Sequence, residues 1–562
     1  MKKKILPVLT VFCLIILVMA VGLITLLIKK YAPSKEKMDG AEYFQITGED
    51  EAALIVNHVL TEEKVKIIDG RAYVDRAVVE KYINSRFYWD EKQKVMLYTL
   101  PTEVFQIVPD TQEYQTSQGI QTTDYIIIKS QEDTYYLDLE FIKMYTDMEY
   151  TLYENPNRLV IRTKWTDAQM VTVNEKSAIR QKGGIKSVIL TEAQEGELLY
   201  LEEEMENWSR VSTEDGYTGY IKKEDISQPE TVTLEHTSTA PVYTNIRKDY
   251  KINLGWHQVT SAEGNAALES IVANTQGLNT ISPTWFSVID NAGTISSLAS
   301  IDYVNQAHAM GMEVWGLIDN FNTNADTLTF LSDTQVRTNI INQLMEQADS
   351  VGLDGINLDF ESITEEQAPH YVQFIRELSI ACRNRGLVFS IDNPVPMPYN
   401  QYYDRKEQGI VADYVIIMGY DEHYSGDTEA GSVASLEFVK NGILDTLEEV
   451  PVEKTINGIP FYTRLWTEPF GGGNLISEAM GMQSAADYVV ANGMDTYWDE
   501  TLGQTVATLE TEEALYSMWL EDEQSIAEKM KLVQEYQLAG VAEWKLGLEK
   551  ASVWSVISQY LQ

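Results

Sequence analysis

Eight short apolar segments recur between residues 254 and 546, at 254–259, 280–288, 313–319, 355–361, 388–392, 414–420, 455–462 and 540–546. Segments this short and this apolar read as strands covered on both faces, as in a parallel sheet packed under helices. Amphipathic stretches lie between several of them. In "SDTQVRTNIINQLMEQA", Val336, Ile340 and Leu344 recur every four residues, and Ser332 with Gln335 reads as a capping box. Eight strands with intervening helices predict an α/β fold, a (β/α)8 barrel over residues 243–562, with an inserted subdomain at about 475–522.

The N-terminus constrains the compartment. Residues 5–28 carry no charge, with Lys2, Lys3 and Lys4 before them and Lys29 and Lys30 after. The run is long enough to cross a hydrocarbon core of about 30 Å with some tilt. The lysine bias predicts a cytoplasmic N-terminus and a single-pass signal anchor, the bulk of the chain lying outside the cell membrane. A cleaved signal peptide is the alternative, and it exports the chain equally. The formal charge is −42, from 43 Lys and Arg against 85 Asp and Glu. Such a field repels phosphate backbones, so no nucleic-acid partner is expected, nor a peripheral grip on anionic lipid. The two cysteines, Cys13 and Cys382, make no disulfide framework.

Between anchor and barrel, residues 29–48 read as a polar linker. Residues 49–168 read as a small α+β domain of short strands, with a turn at Asp69-Gly70 and a helix around 76–83. "DTYYLDLEFIKMYTDMEYTLYENPNRLVIRT" repeats the order strand, short helix, strand, turn, strand. The unit resembles the copper-amine-oxidase N-terminal-like repeats of exported bacterial proteins. With His58 its one histidine and no cysteine, no metal site is expected there. Residues 170–228 read as a small β-barrel. "WSRVSTEDGYTGYIKKEDI", with Trp208, Gly216, Tyr217, Gly219 and Tyr220, resembles the end of a bacterial SH3-like domain. Such domains bind wall peptides or serve as spacers.

The chemistry concentrates in "DGINLDFE", residues 354–361. With a strand period of two, Ile356, Leu358 and Phe360 share one face and Asn357, Asp359 and Glu361 the other. Three polar groups on an inward face are costly to bury unless bonded or functional. The strand is expected to end at Glu361, at the mouth where barrel active sites sit. A partly desolvated carboxyl beside Asp359 has a raised pKa and suits a general acid.

The octapeptide resembles the D-x-x-D-x-D-x-E signature of glycoside hydrolase family 18, the chitinase-like hydrolases. "IIMGYDEHY" is similar to the family's Met-x-Tyr-Asp, giving Met418, Tyr420 and Asp421, and "GVAEWKLGLE" to its strand-eight tryptophan, Trp544. "SPTWFSV", "NGIPFYTRLW" and "MWLEDEQSIAEKM" resemble the peptidoglycan-active branch of N-acetylglucosaminidases. The resemblance implies retaining, substrate-assisted hydrolysis without metal or organic cofactor. It makes Glu361 the acid, and Asp359 the partner of the substrate acetamido N–H. Tyr420 would hold the acetamido oxygen, Trp544 the floor of the sugar site, and Asp421 a sugar contact. Asn357 stands where the family has a second Asp. It cannot share a proton, but can donate a hydrogen bond to Asp359.

Tyr462 and Arg464 share a face near the end of strand seven and are candidate cleft residues. Asp319, Asn320, Asp392 and Asn393, at the ends of strands three and five, are candidate sugar contacts or caps. Trp256 and Trp285 are candidate stacking platforms or core residues. His423 and the glycines 471–473 are read as incidental, and Glu543 as facing away from the cleft. Together these observations predict a membrane-anchored hydrolase of peptidoglycan. The alternatives are a chitinase-like hydrolase of another GlcNAc polymer and a non-catalytic glycan-binding protein.

Overall fold

The computed structural model describes residues 5–236, 238 and 241–561. The chain forms two compact units, Met1–Trp89 with Gln106–Ala240, and Asp90–Phe105 with Pro241–Gln562.

The second unit is built on the expected barrel. Its strands are β1 (Ile252–His257), β2 (Thr280–Val288), β3 (Glu313–Asp319), β4 (Gly355–Asp359), β5 (Val388–Pro394), β6 (Tyr414–Met418), β7 (Thr455–Pro460) and β8 (Gly540–Trp544). Each pairs in parallel with the next, and β1 pairs with both β2 and β8, which closes the ring. Closure leaves no sheet edge inside the ring, and helices cover the outer face, so nearly every strand residue is buried. Helix starts are set by polar caps. Asp333, rather than the expected Ser332, caps the helix Thr334–Val351 by accepting from Gln335 N at 2.9 Å. Ser332 instead closes the preceding helix, Thr327–Ser332.

Two features depart from the sequence reading. First, strand seven stops at Pro460, and Tyr462 and Arg464 belong to the strand Tyr462–Pro469 of a separate five-stranded sheet. The apolar alternation runs through Phe461 without a break, so periodicity could not mark the change of sheet. This sheet is tied to the barrel helix Glu523–Glu535 by a buried ion pair. Lys529 Nζ lies 3.0 Å from both Glu521 oxygens, and Gln504 and Ser525 donate to the same carboxylate at 2.8 Å.

Second, residues Asp90–Phe105 cluster with the barrel rather than with the rest of the N-terminal α+β region. Asp90 is buried and accepts from Thr334 N at 3.2 Å and from the Thr334 hydroxyl. Gln373 donates to Thr99 at 3.1 Å, and Arg383 donates to the Pro101 carbonyl at 2.7 Å.

In the first unit, the helix Ile5–Tyr31 is long and apolar enough to cross a membrane. A seven-stranded sheet contains the strands Glu51–Val56, Val59–Ile68, Arg71–Asp75, Thr134–Asp138 and Arg158–Arg162. A second seven-stranded sheet spans Ala168–Val232 and closes over Val171, Ile179, Leu199, Val211 and Ile221. The segment expected as a linker is built into this unit. Met38 N donates to Ile189 O at 2.8 Å, and Ile189 N to Glu36 O at 2.9 Å. Asp39 caps the short helix Gly40–Phe44, whose Tyr43 stacks on Tyr217 with ring centroids 5.1 Å apart.

Glu543 faces outward from β8 beneath the helices. It is fully buried, and neither carboxylate oxygen has a partner among the described residues. Burial therefore pushes its pKa well up. The folded state holds a proton there that the unfolded chain releases above about pH 4.3, so stability falls as pH rises, by at most about 1.4 kcal/mol per unit. Glu543→Gln is expected to gain in Tm over the parent by a margin that widens from pH 5 to pH 9. Thermal melts across pH measure this, and a constant margin would refute it.

Candidate active site

The site is assembled at the C-terminal mouth of the barrel. β4 ends at Asp359, not at Glu361 as expected, and Glu361 lies just beyond it. Asn320 replaces the missing ladder. Glu361 N donates to Asn320 Oδ1 at 2.9 Å, and Asn320 Nδ2 donates to Glu361 O at 3.0 Å and to Thr327 Oγ1 at 3.1 Å. Asn320 is thus a clamp on the Glu361 backbone. Leaving the ladder lets the Glu361 carboxyl be aimed into the cleft rather than fixed by the pleat.

Asn357 lies one layer below the cleft, fully buried. Its Oδ1 accepts from Trp256 Nε1 and Ser282 Oγ, both at 2.9 Å. Its Nδ2 donates to Ser390 Oγ at 3.1 Å and to Asp392 Oδ1 at 2.8 Å. The expected donation to Asp359 is not made, because both amide protons turn toward β5. Asp359 Oδ1 is buried without a partner among the described residues.

Above Asn357 runs a row of carboxyls. Asp319 pairs with Asp359 across β3 and β4. Leu358 pairs with Ile391, so the next inward position sets Asp359 beside Asp392. Burial, then the Asp392, Glu361 and Asp319 carboxyls, hold the Asp359 pKa well above its ordinary value. Burial, then Asp421 and Asp319, raise that of Glu361. Asp392 is raised by burial above all. Asp319 is raised less simply: burial lifts it, while donation from Ser287 at 2.6 Å and Phe321 N at 3.1 Å pulls it back. Packed acids out of water cannot all ionise, so protons remain in this cluster at pH values where free carboxylates are charged.

Asp359, Glu361, Met418, Tyr420, Asp421 and Trp544 line one cleft of about 340 Å³. A second lobe of about 420 Å³ shares Asp359 and Trp544 with it and extends along Asp319. A Cβ at 458 would lie 2.8 Å from the Ile417 carbonyl oxygen and 3.3 Å from the Tyr420 ring, so Gly458 allows the close approach of β6 and leaves that ring its place. Tyr462 does not line the cleft but donates its hydroxyl to Asp421. Arg464 is not brought into the cleft and reaches Ser477 at 3.4 Å. Trp256 and Trp285 are each 1 % exposed and hydrogen-bonded, so both are core residues that touch the cleft only at an edge. Asn393 faces outward to Gln408, and His423 pairs with Asp427.

The exposed aromatics are others: Phe321, Tyr399 and Tyr424, 54 %, 70 % and 55 % exposed, on loops after β3, β5 and β6. Their loop positions were the only signal in the sequence, and no spacing rule singled them out. Among the described residues, neither lobe is lined by Lys, Arg or His.

If Asn320 fixes the Glu361 backbone, Asn320→Ala is expected to lower turnover of a GlcNAc oligomer by about tenfold or more with little change in KM, since misplacement by about 1 Å can cost about 100-fold. Steady-state kinetics beside a thermal melt read this. An unchanged kcat would show that the clamp is dispensable.

Residues 320–549 match the family Glycosyl hydrolases family 18, and residues 174–228 match Bacterial SH3 domain. The cortical fragment-lytic enzyme of Bacillus subtilis (strain 168) is 28% identical over 235 residues, 41% of this chain and 54% of that protein. An uncharacterized glycosylase of the same organism is 26% identical over 304 residues, 52% of this chain and 87% of that one. The chain thus spans about half the length of several curated relatives that it matches. The crystal structure of the Bacillus cereus spore cortex-lytic enzyme superposes with a TM-score of 0.50 at 20% identity, covering 59% of this chain and 77% of that one, which shows the shared fold. The chain therefore carries a glycoside hydrolase family 18 domain, preceded by a bacterial SH3 domain.

Proposed function

We propose that the chain is a membrane-anchored, extracellular glycoside hydrolase. It cuts β-1,4 bonds that follow N-acetylglucosamine in peptidoglycan, with retention of configuration. The meeting of Asp359, Glu361, Tyr420 and Trp544 at one cleft carries this reading. Glu361, kept protonated by burial and neighbouring acids, gives its proton to the glycosidic oxygen as that bond breaks. The substrate's acetamido oxygen attacks the anomeric carbon and forms an oxazolinium ion. Asp359 accepts the acetamido N–H and offsets the developing positive charge. Tyr420, whose phenol burial keeps neutral, donates to the acetamido oxygen. Trp544 supplies the apolar floor. Water then attacks the anomeric carbon, losing a proton to Glu361, which restores the acid.

The helix Ile5–Tyr31 supports the anchor, and the SH3 domain supports a place at the wall. A second reading, hydrolysis of an uncharged GlcNAc polymer such as chitin, is favoured by the cleft lining. It holds Asp319, Asp359, Glu361, Asp392, Asp421 and Glu422 with no cation among the described residues, a field unfavourable to the carboxylates of wall peptides.

Digestion of purified peptidoglycan and of chitin oligomers by the full chain in detergent, read by mass spectrometry, tests both. New reducing GlcNAc ends from peptidoglycan, reduced about 100-fold or more in Glu361→Gln, are expected. Release from chitin alone would support the second reading. Binding without cleavage by either protein would leave a glycan-binding module. Activity requires protonated Glu361, so it is expected to fall as pH rises through that residue's raised pKa, above the ordinary glutamate range. A pH–rate profile whose alkaline limb lies near pH 4 would contradict the assignment.

A further inference from the structure

The family signature calls for a second carboxyl two residues before Asp359, and this chain has Asn357 there. The structure offers a carboxyl from another strand. Asp392 of β5 is 1 % exposed, points inward beside Asp359, and lines the same cleft. Neighbouring strands lie about 4.8 Å apart, so inward residues in one row are in side-chain reach. Asn357 Nδ2 holds Asp392 Oδ1 at 2.8 Å, and Trp256, Ser282 and Ser390 fix the Asn357 amide in turn. Asp359 Oδ1 is buried with no hydrogen-bond partner among the described residues.

We propose that Asp392 takes over the part of the missing carboxyl: Asp359 and Asp392 share one proton in the free protein, and that proton stays on Asp392 when Asp359 turns to the substrate's acetamido N–H. The proposal rests on the hydrolase reading above. Asp392 is then a positioning residue that acts through Asp359, and the exchange leaves Asp359 charged where positive charge develops.

The other acid in the row is a poorer partner. Asp319 is only partly buried and accepts from both Ser287 and Phe321 N, whereas Asp392 is 1 % exposed and accepts from Asn357, so the charged form costs less at Asp319. The groups facing the pair are Asp319 from β3, Glu361 beyond β4, and Tyr420 beyond β6. Tyr371 faces it from the helix Ala368–Arg385, and Trp256 and Asn357 from below. None of them is a cation. Two adjacent buried acids facing no cation ionise in two separated steps, so one proton is retained across a broad pH range.

Moving the carboxyl back across the Asn357–Asp392 hydrogen bond is the test. Asp392→Asn in the full chain is expected to lower kcat on a GlcNAc oligomer by about tenfold to 100-fold with KM little changed. It also removes the group that holds the shared proton, so the pair's upper ionisation is lost and the alkaline limb of the pH–kcat profile is expected to move to lower pH. The double variant Asn357→Asp with Asp392→Asn is expected to recover at least about tenfold of the loss and to return the profile toward the parent's. Asp319→Asn is not expected to be rescued by Asn357→Asp. An unmoved pH profile in Asp392→Asn, or a double variant no better than the single, would overturn the proposal.

Carboxyl carbon NMR keeps the test independent of turnover. In the parent Asp359 and Asp392 are expected to titrate as a coupled pair, and in Asp392→Asn the Asp359 signal is expected to titrate at lower pH. Coupled titration without turnover would fail the hydrolase reading alone. Independent titration with intact turnover would fail this proposal alone.

Discussion

The amide of Asn357 accepts two hydrogen bonds and donates two, to partners on β1, β2 and β5. It is the neutral plug on which a row of carboxyls rests. Asp319, Asp359 and Asp392 could not be set side by side in a closed barrel over another charge, because each desolvated carboxylate raises the cost of the next. A fully satisfied amide below them removes that cost and fixes the β5 carboxyl. The same low polarity of surroundings raises the pKa of the clustered acids, the direction an acid such as Glu361 needs.

The barrel supplies the rest through parity and clamps. Inward parity on β4 and β5 places Asp359 and Asp392. The Asn320 clamp frees Glu361 from that parity while holding its backbone, and Gly458 leaves room for Tyr420. The site is thus held mostly by strand ends and by side chains that bond backbone, which suits a cluster whose electrostatics depend on small distances. Its cost is visible in the buried Asp359 Oδ1, which has no partner among the described residues.

Much of this was legible in the residues. The period of two in residues 354–361 gave the faces of Asn357, Asp359 and Phe360, and the eight apolar segments gave the ring. What a single strand cannot reveal is its lateral neighbour: Asp392 read only as a strand-end polar residue, since its place beside Asp359 depends on register between strands. Asn357 read as a donor to Asp359 for the same reason. Tyr462 and Arg464 read as sharing a face near the end of strand seven because alternation continues across the change of sheet at Phe461. Residues 29–48 read as a linker by composition, although Tyr43 and Phe44 anchor them through packing that composition does not record. Trp256 and Trp285, the prominent aromatics, went to the core, while Phe321, Tyr399 and Tyr424 on loops form the exposed rim.

The account turns on the substrate's own acetamido group acting as nucleophile over Asp359. Proton NMR of the first product formed from a GlcNAc oligomer, recorded before mutarotation, tests this most directly. The β-anomer appearing first is the predicted result, since two displacements at the anomeric carbon restore its configuration. The α-anomer appearing first would mean direct attack by water, and would contradict the roles given to Asp359 and Tyr420.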